Sequence, residues 1–228
     1  MAEALIDHEG GATVKGFLHR VSDLSAHPMG QKPVASGFLV LTHGAGGNSE
    51  APLLVALADA FAASGLTTLR CDLPFRQRRP TGPPSPSDAK RDQQGLRRAV
   101  TLMREKFAGP AFLGGASYGG RQASMLLAEE PSLVEGLLLL SYPLHPPGRP
   151  AQLRTAHLSS LQTPTLFISG TRDPFGSVEE LTAAIKLIPA PAKLVSIEGA
   201  GHGLLQNSNC ETLPGKIVQE FQSFFRRR

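Results

Sequence analysis

Two cysteines, Cys71 and Cys210, are all that the 228 residues contain. They are too few for a disulfide framework and show no metal-ligand spacing, so both are expected to be reduced thiols, with Cys71 in the core. Also missing is any uninterrupted apolar span near the ~20 residues that a membrane helix requires. Met1 to Glu9 has neither the basic segment nor the apolar one of an export signal. The expectation is a cytoplasmic chain that makes no membrane contact. A strong excess of one charge is lacking too. Lysine plus arginine number 23 against 19 acids, a formal net charge of +4. The basic residues are dispersed apart from Arg76, Arg78 and Arg79 and the terminal Arg226, Arg227 and Arg228. Such a balance speaks for solubility and against a nucleic-acid partner. No internal repeat or low-complexity segment stands out, and 41% hydrophobic with 18% charged residues describes an ordinary globular chain. The length suits one α/β domain over residues 1–228, with 1–36 as an N-terminal edge strand and loop.

What the chain does have is glycine at three strand ends. Phe112 to Gly120 reads Phe-Leu-Gly-Gly-Ala-Ser-Tyr-Gly-Gly, a Gly-x-Ser-x-Gly pattern centred on Ser117. The apolar run Pro110 to Leu113 enters it and the helix-compatible run Arg121 to Glu130 leaves it. The serine therefore falls on a strand-to-helix turn, the setting of a nucleophile elbow. A turn that sharp has no room for side chains beside the serine, and Gly115 and Gly119 supply none. The amides that follow open a helix, where a developing oxyanion is received.

Two further apolar runs each end in a turn that carries an ionisable residue. Leu166 to Gly170 leads to Asp173, and Leu194 to Ile197 leads to His202. The chain order is therefore Ser117, Asp173, His202, each just past a strand. A serine nucleophile needs a base to take its proton, and that base needs an acid to fix its tautomer. With this order and these settings the sequence resembles the α/β-hydrolase superfamily, and within it the small, lidless members similar to dienelactone hydrolase. The resemblance covers the chain from about Gly37 to its end. It implies a mostly parallel central sheet with helices on both faces and no substantial lid. It also implies a hydrolase acting through an acyl-enzyme on a small or mid-sized carboxylester, thioester or lactone, with no metal or organic cofactor. Dienelactone hydrolase itself has a cysteine where this chain has Ser117, so its substrate does not carry over. The alternative is a hydrolase-fold module kept for binding or as a scaffold in a larger assembly. The oligomeric state stays open.

In chain order, Ala12 to Val21 reads as an early edge strand, with an upstream hairpin partner only weakly signalled, and Ser25 to Ser36 as a loop. Gly37 to Thr42 is a buried parallel strand that ends in His43-Gly44-Ala45-Gly46-Gly47. In hydrolases of this fold the loop after that strand gives one oxyanion donor, so the resemblance assigns the amides of Ala45 and Tyr118 to that role. Gly46 is expected near the substrate, and His43 is expected to be a structural hydrogen-bonding residue. Ala51 to Ala63 has the spacing of a buried helical face and Leu66 to Cys71 that of a strand. Prolines at 80, 83, 84 and 86 argue against regular structure in Arg76 to Ser87. Arg76 there could meet an anionic group of a small-molecule substrate or stand as solvated charge. Asp88 to Phe107 reads as a packing helix despite Gly95, and Leu133 to Ser141 as a strand. Tyr142 to Thr163 is too short for a cap, and Tyr142 is expected to line the pocket. Glu179 to Ile188 and Leu213 to Phe225 are amphipathic helices, and the arginine tail is read as a solvated end.

Overall fold

A computed structural model describes residues 2–8, 12–21 and 37–225. Eight strands form one sheet, β1 (Ala2–Asp7), β2 (Val14–His19), β3 (Phe38–Thr42), β4 (Thr67–Cys71), β5 (Ala111–Ala116), β6 (Gly136–Leu140), β7 (Thr165–Gly170) and β8 (Ala192–Ile197). Their spatial order is β1-β2-β4-β3-β5-β6-β7-β8. The pairs β1–β2 and β2–β4 are antiparallel, and every pair from β4–β3 to β7–β8 is parallel. Every residue of β3, β4 and β6 is buried, as expected of strands covered on both faces. This is the α/β-hydrolase fold that the sequence led us to expect.

Among the described residues, six helices provide the two covering layers: α1 (Pro52–Ala63), α2 (Pro74–Arg78), α3 (Ala89–Lys106), α4 (Tyr118–Glu129), α5 (Val178–Ile185) and α6 (Leu213–Phe225). Leu96, Val100 and Met103 of α3, Leu126 of α4 and Leu181 of α5 belong to the core on one face of the sheet. Leu54 and Phe61 of α1 and Ile217 and Phe221 of α6 fill the other. At about 25 cal/mol per Å² of apolar surface removed from water, these two cores are the main favourable term in folding.

Three expectations are corrected. The edge strand is β1, not the segment from Ala12 to Val21, which lies second in the sheet. β1 is mostly exposed and is held by backbone pairing to β2, with Leu5 alone packed on the core, so it has no apolar alternation to betray it. The proline-rich stretch is not irregular throughout, since α2 opens on Pro74 and a 3-10 turn spans Pro86–Asp88. Proline at the first helical position lacks only an N–H that would be unpaired anyway, so here it starts helices. Finally, β5 runs through Gly114 and Gly115 to Ala116, because Gly115 and Gly120 pack backbone to backbone; a Cβ on Gly115 would sit 2.5 Å from Gly120 N. Gly95 has a similar reason to be in α3, since a Cβ there would lie 2.4 Å from the ring of Pro74. The expected Ser25–Ser36 loop and the terminal arginines lie outside the described residues.

Candidate active site

Ser117 is the residue between β5 and α4, and its backbone is strained, with φ 48° and ψ −114°. A non-glycine residue in such a conformation costs on the order of 1–3 kcal/mol and persists only when its surroundings impose it. Here they do. The Ser117 N–H donates to Leu140 O at 2.8 Å, and Arg121 N–H donates to Ser117 O at 3.0 Å. A Cβ on Gly119 would meet His43 O at 2.4 Å, and one on Gly44 would meet the Ser117 Cβ at 3.3 Å. The glycine-rich turn after β3 is thus wedged against the serine.

The turns after β7 and β8 are tied together. Arg172 N–H donates to Ala200 O at 2.9 Å and Thr171 N–H to Ile197 O at 3.1 Å, while the Thr171 hydroxyl accepts from Gly199 N–H at 2.9 Å. This brings Asp173 to His202. The Asp173 oxygens lie 2.9 and 3.0 Å from His202 Nδ1, and Oδ1 also accepts the Phe175 N–H at 2.9 Å. A carboxylate only accepts, so Nδ1 carries the proton and Nε2 is left basic. That Nε2 is 2.8 Å from Ser117 Oγ. The Asp173 side chain is 1% exposed and the His202 side chain 26%, so the chain of hydrogen bonds runs from the interior to an accessible serine.

The amides of Ala45 and Tyr118 have no hydrogen-bond partner among the described residues, whereas that of Ser117 is spent on Leu140. Tyr118 opens α4, where the first N–H groups have no acceptor within the helix. Its hydroxyl donates to the buried Asp92 at 2.7 Å, and Asp92 also accepts the Phe75 N–H at 3.0 Å. Burial raises the Asp92 carboxyl, and burial together with the Asp92 hydrogen bond raises the Tyr118 phenol. His43 is fully buried, its Nδ1–H donating to Gly44 O at 2.8 Å and its Nε2 accepting from Leu73 N–H at 3.1 Å. Both nitrogens are used in neutral form, and burial lowers its pKa. Cys71 is buried and its thiol is pushed up to about 12 by desolvation.

Ser117 opens onto a cleft of about 640 Å³, walled by Ala45, Tyr118, Arg121, Arg154 and Phe175 among others. The chain belongs to the α/β-hydrolase family. A family model described as an alpha/beta hydrolase domain matches residues 35–224 of it. Solved structures agree on the fold. Dienelactone hydrolase from Anabaena variabilis is 22% identical with a TM-score of 0.72, over 99% of this chain and 98% of that one. Est1E from Butyrivibrio proteoclasticus, solved with ferulic acid bound, is 19% identical with a TM-score of 0.74, over 99% and 100%. A serine hydrolase without a lid from Xanthomonas campestris is 16% identical with a TM-score of 0.67, over 97% and 94%. Among the described residues of this hydrolase, no helix is long and apolar enough to cross a membrane.

Three residues expected at the substrate lie elsewhere in the hydrolase. Tyr142 is 1% exposed, with its hydroxyl donating to Arg154 O at 2.6 Å and its ring edge-on to Phe167, so its neighbour Pro143 forms the wall instead. Arg76 is neither solvated nor in the cleft. It is buried, and its guanidinium donates to the carbonyls of Ala45, Gly47, Arg79 and Gly82, which spends its donors on tying the glycine-rich turn to the proline-rich loop. Gly46 is exposed on that turn and forms no part of the cleft wall. His145 is buried away from the cleft, bonded to Pro146 O and facing Glu180. Conversely, sequence reasoning missed Phe175, whose ring stacks on His202 at 4.1 Å between centroids. It also missed Arg121, Gln122 and Arg154. The first three follow Ser117 or Asp173 by two to five positions, and such proximity was the signal available.

Proposed function

We propose that the protein is a serine hydrolase that cleaves a small or mid-sized ester-type substrate, a carboxylester, thioester or lactone, through an acyl-enzyme. The observation that carries this reading is the unbroken hydrogen-bond chain Asp173–His202–Ser117, ending on a strained serine at the C-terminal edge of the sheet. Ser117 Oγ attacks the carbonyl while His202 Nε2 takes its proton. The imidazolium formed is balanced by Asp173, and His202 then returns the proton to the leaving alcohol or thiol. Water repeats the cycle on the acyl-enzyme. The Ala45 and Tyr118 N–H groups receive the oxyanion, and losing one such donor costs about 3 kcal/mol of barrier. The structural likeness to a ferulic-acid-bound Est1E and to a dienelactone hydrolase supports an ester-type carbonyl. A connection of Tyr142 to Thr163 whose only helical piece among the described residues is the 3-10 turn Leu158–Ser160 leaves the cleft without a cap, which suits accessible substrates.

The test is hydrolysis of p-nitrophenyl esters from acetate to octanoate by the native protein and by Ser117→Ala. Turnover that falls with chain length and drops by at least about 10³-fold in the variant is expected. Turnover equal in both proteins, or absent on every ester, would remove the enzymatic reading and bring a binding or scaffold role of the same fold to the front.

A further inference from the structure

We propose that Arg121, Gln122 and Arg154 form a carboxylate-binding subsite in the wall of the Ser117 cleft, so that the ester hydrolysed is one that itself carries a carboxylate. The inference rests on the hydrolytic reading and names its substrate class.

All three residues line the same cleft as Ser117, Gln122 as a fully buried one. Arg121 and Gln122 sit in the first turn of α4, directly after the nucleophile, and Arg154 comes from the connection between β6 and β7. What distinguishes this wall is an excess of donors over acceptors. The Nε of Arg121 and the Nε2 of Gln122 are both buried without a hydrogen-bond partner. The Gln122 carbonyl already accepts from Gln93 Nε2 at 3.0 Å, which holds the amide with its NH₂ turned away from that partner. Arg154 gives one nitrogen to Pro143 O at 3.1 Å. Buried donors are nearly always paired, so two orphans on consecutive residues of one cleft wall need an explanation, and a ligand that accepts is a direct one.

The charges point the same way. Among the described residues, no carboxylate forms an ion pair with Arg121 or Arg154, and none lines the cleft. Asp92 of α3 is committed to the Tyr118 hydroxyl, and Glu129 and Glu130 at the end of α4 to Lys90 and Arg97. The two guanidiniums feel each other. After burial, the Arg121 charge is the main influence lowering Arg154, and it also helps push neighbouring His157 down to about 4. Keeping two cations together, partly desolvated and without a counter-ion, is unfavourable until an anion joins them. A guanidinium fork and an amide NH₂ match the two oxygens and single charge of a carboxylate. Met125, Pro143 and Phe175 supply the apolar remainder of the cleft for a hydrocarbon body.

Two matched ester pairs test this. One places the charge in the acyl part, p-nitrophenyl hemiglutarate against p-nitrophenyl pentanoate. The other places it in the alcohol part, 3-acetoxybenzoate against its methyl ester. In at least one pair kcat/KM should favour the anion by about tenfold or more, mainly through KM, the size expected of a charge-assisted hydrogen bond. Arg121→Gln and Arg154→Gln should each bring that ratio towards one, and Arg121→Lys, which keeps the charge, should retain part of it. A ratio at or below one in both pairs, or a ratio untouched by both glutamine variants, overturns the subsite while leaving the Ser117-dependent hydrolysis of neutral esters standing. If no ester is turned over, the hydrolytic reading fails, and calorimetric titration of Ser117→Ala with 3-acetoxybenzoate decides the subsite alone. Binding that is lost on adding Arg121→Gln supports it, and no binding at millimolar ligand overturns it.

Discussion

The two ends of the parallel sheet are built on opposite terms. At the N-terminal end of the strands, Phe61, Phe112, Phe221 and Phe225 pack as tilted and edge-on pairs 4.6–5.1 Å apart around an apolar cavity of about 250 Å³. Among the described residues, no ionisable side chain lines that cavity. At the C-terminal end are all three described non-glycine residues with left-handed φ, Ser117 at 48°, Ser141 at 49° and Leu204 at 57°. The four buried side-chain polar atoms without partners among the described residues, on Arg121, Gln122, Ser141 and Ser169, are there as well. The same strands therefore run from an apolar end of packed rings to one where several features subtract stability. A parallel sheet permits this division because all its βα turns emerge on one side, so the strain needed to expose Ser117 is concentrated there and offset by packing at the other end.

Cutting into the aromatic end should have the largest effect on stability and leave the chemistry alone. Phe221 is 4% exposed and touches the rings of Phe61, Phe112 and Phe225. Phe221→Ala should lower the unfolding free energy by about 3 kcal/mol, measured in urea, the lower end of the usual range because a cavity is already present. The proposed hydrolysis of p-nitrophenyl esters, per folded molecule, should stay within about twofold of native. A large loss of kcat in the folded variant would mean that the two ends are coupled, against the division drawn above.

A smaller effect should reveal the functional end through pH. His157 accepts the Ser124 hydroxyl proton or donates to its oxygen at 2.8 Å, and burial, aided by the Arg121 charge, pushes its pKa down to about 4. A depressed histidine is neutral in the folded protein down to about pH 4, while the unfolded chain takes up a proton below about 6.5. The unfolded state thus binds more protons in that window, and stability falls as pH drops through it. His157→Gln should reduce the loss of stability between pH 7 and pH 4.5 by about 1 kcal/mol, discounted for the partial exposure of the ring. An unchanged pH dependence would place the acid-sensitive group elsewhere.

Much of this architecture could be read from the sequence because it depends on local pattern. The buried runs Phe38–Thr42 and Gly136–Leu140 are apolar on both faces, and the glycines around Ser117 answer to contacts within a few residues of it. Chain order likewise set Ser117, Asp173 and His202 each after its own strand, and adjacency of β7 and β8 then brings Asp173 to His202, while the contact with Ser117 spans β6 and β7. The sequence was silent where a role depends on distant partners. β1 is polar and exists through its register with β2. Arg76 looks like loop charge until four carbonyls converge on it. Tyr142 and Pro143 are neighbours, and only the turn after β6 decides which of them faces the cleft. Arg154 reaches the site from a connection with no periodicity to read.

The central claim is that Ser117 is an activated nucleophile, and covalent labelling tests it most directly. Treated with an active-site-directed fluorophosphonate, the native protein should take up one label per chain, located at Ser117 by peptide mass spectrometry. Labelling should vanish in Ser117→Ala and slow by orders of magnitude in His202→Gln, which keeps the shape of the site but removes the base. A native protein that stays unlabelled, or one labelled at the same rate without His202, would contradict the account.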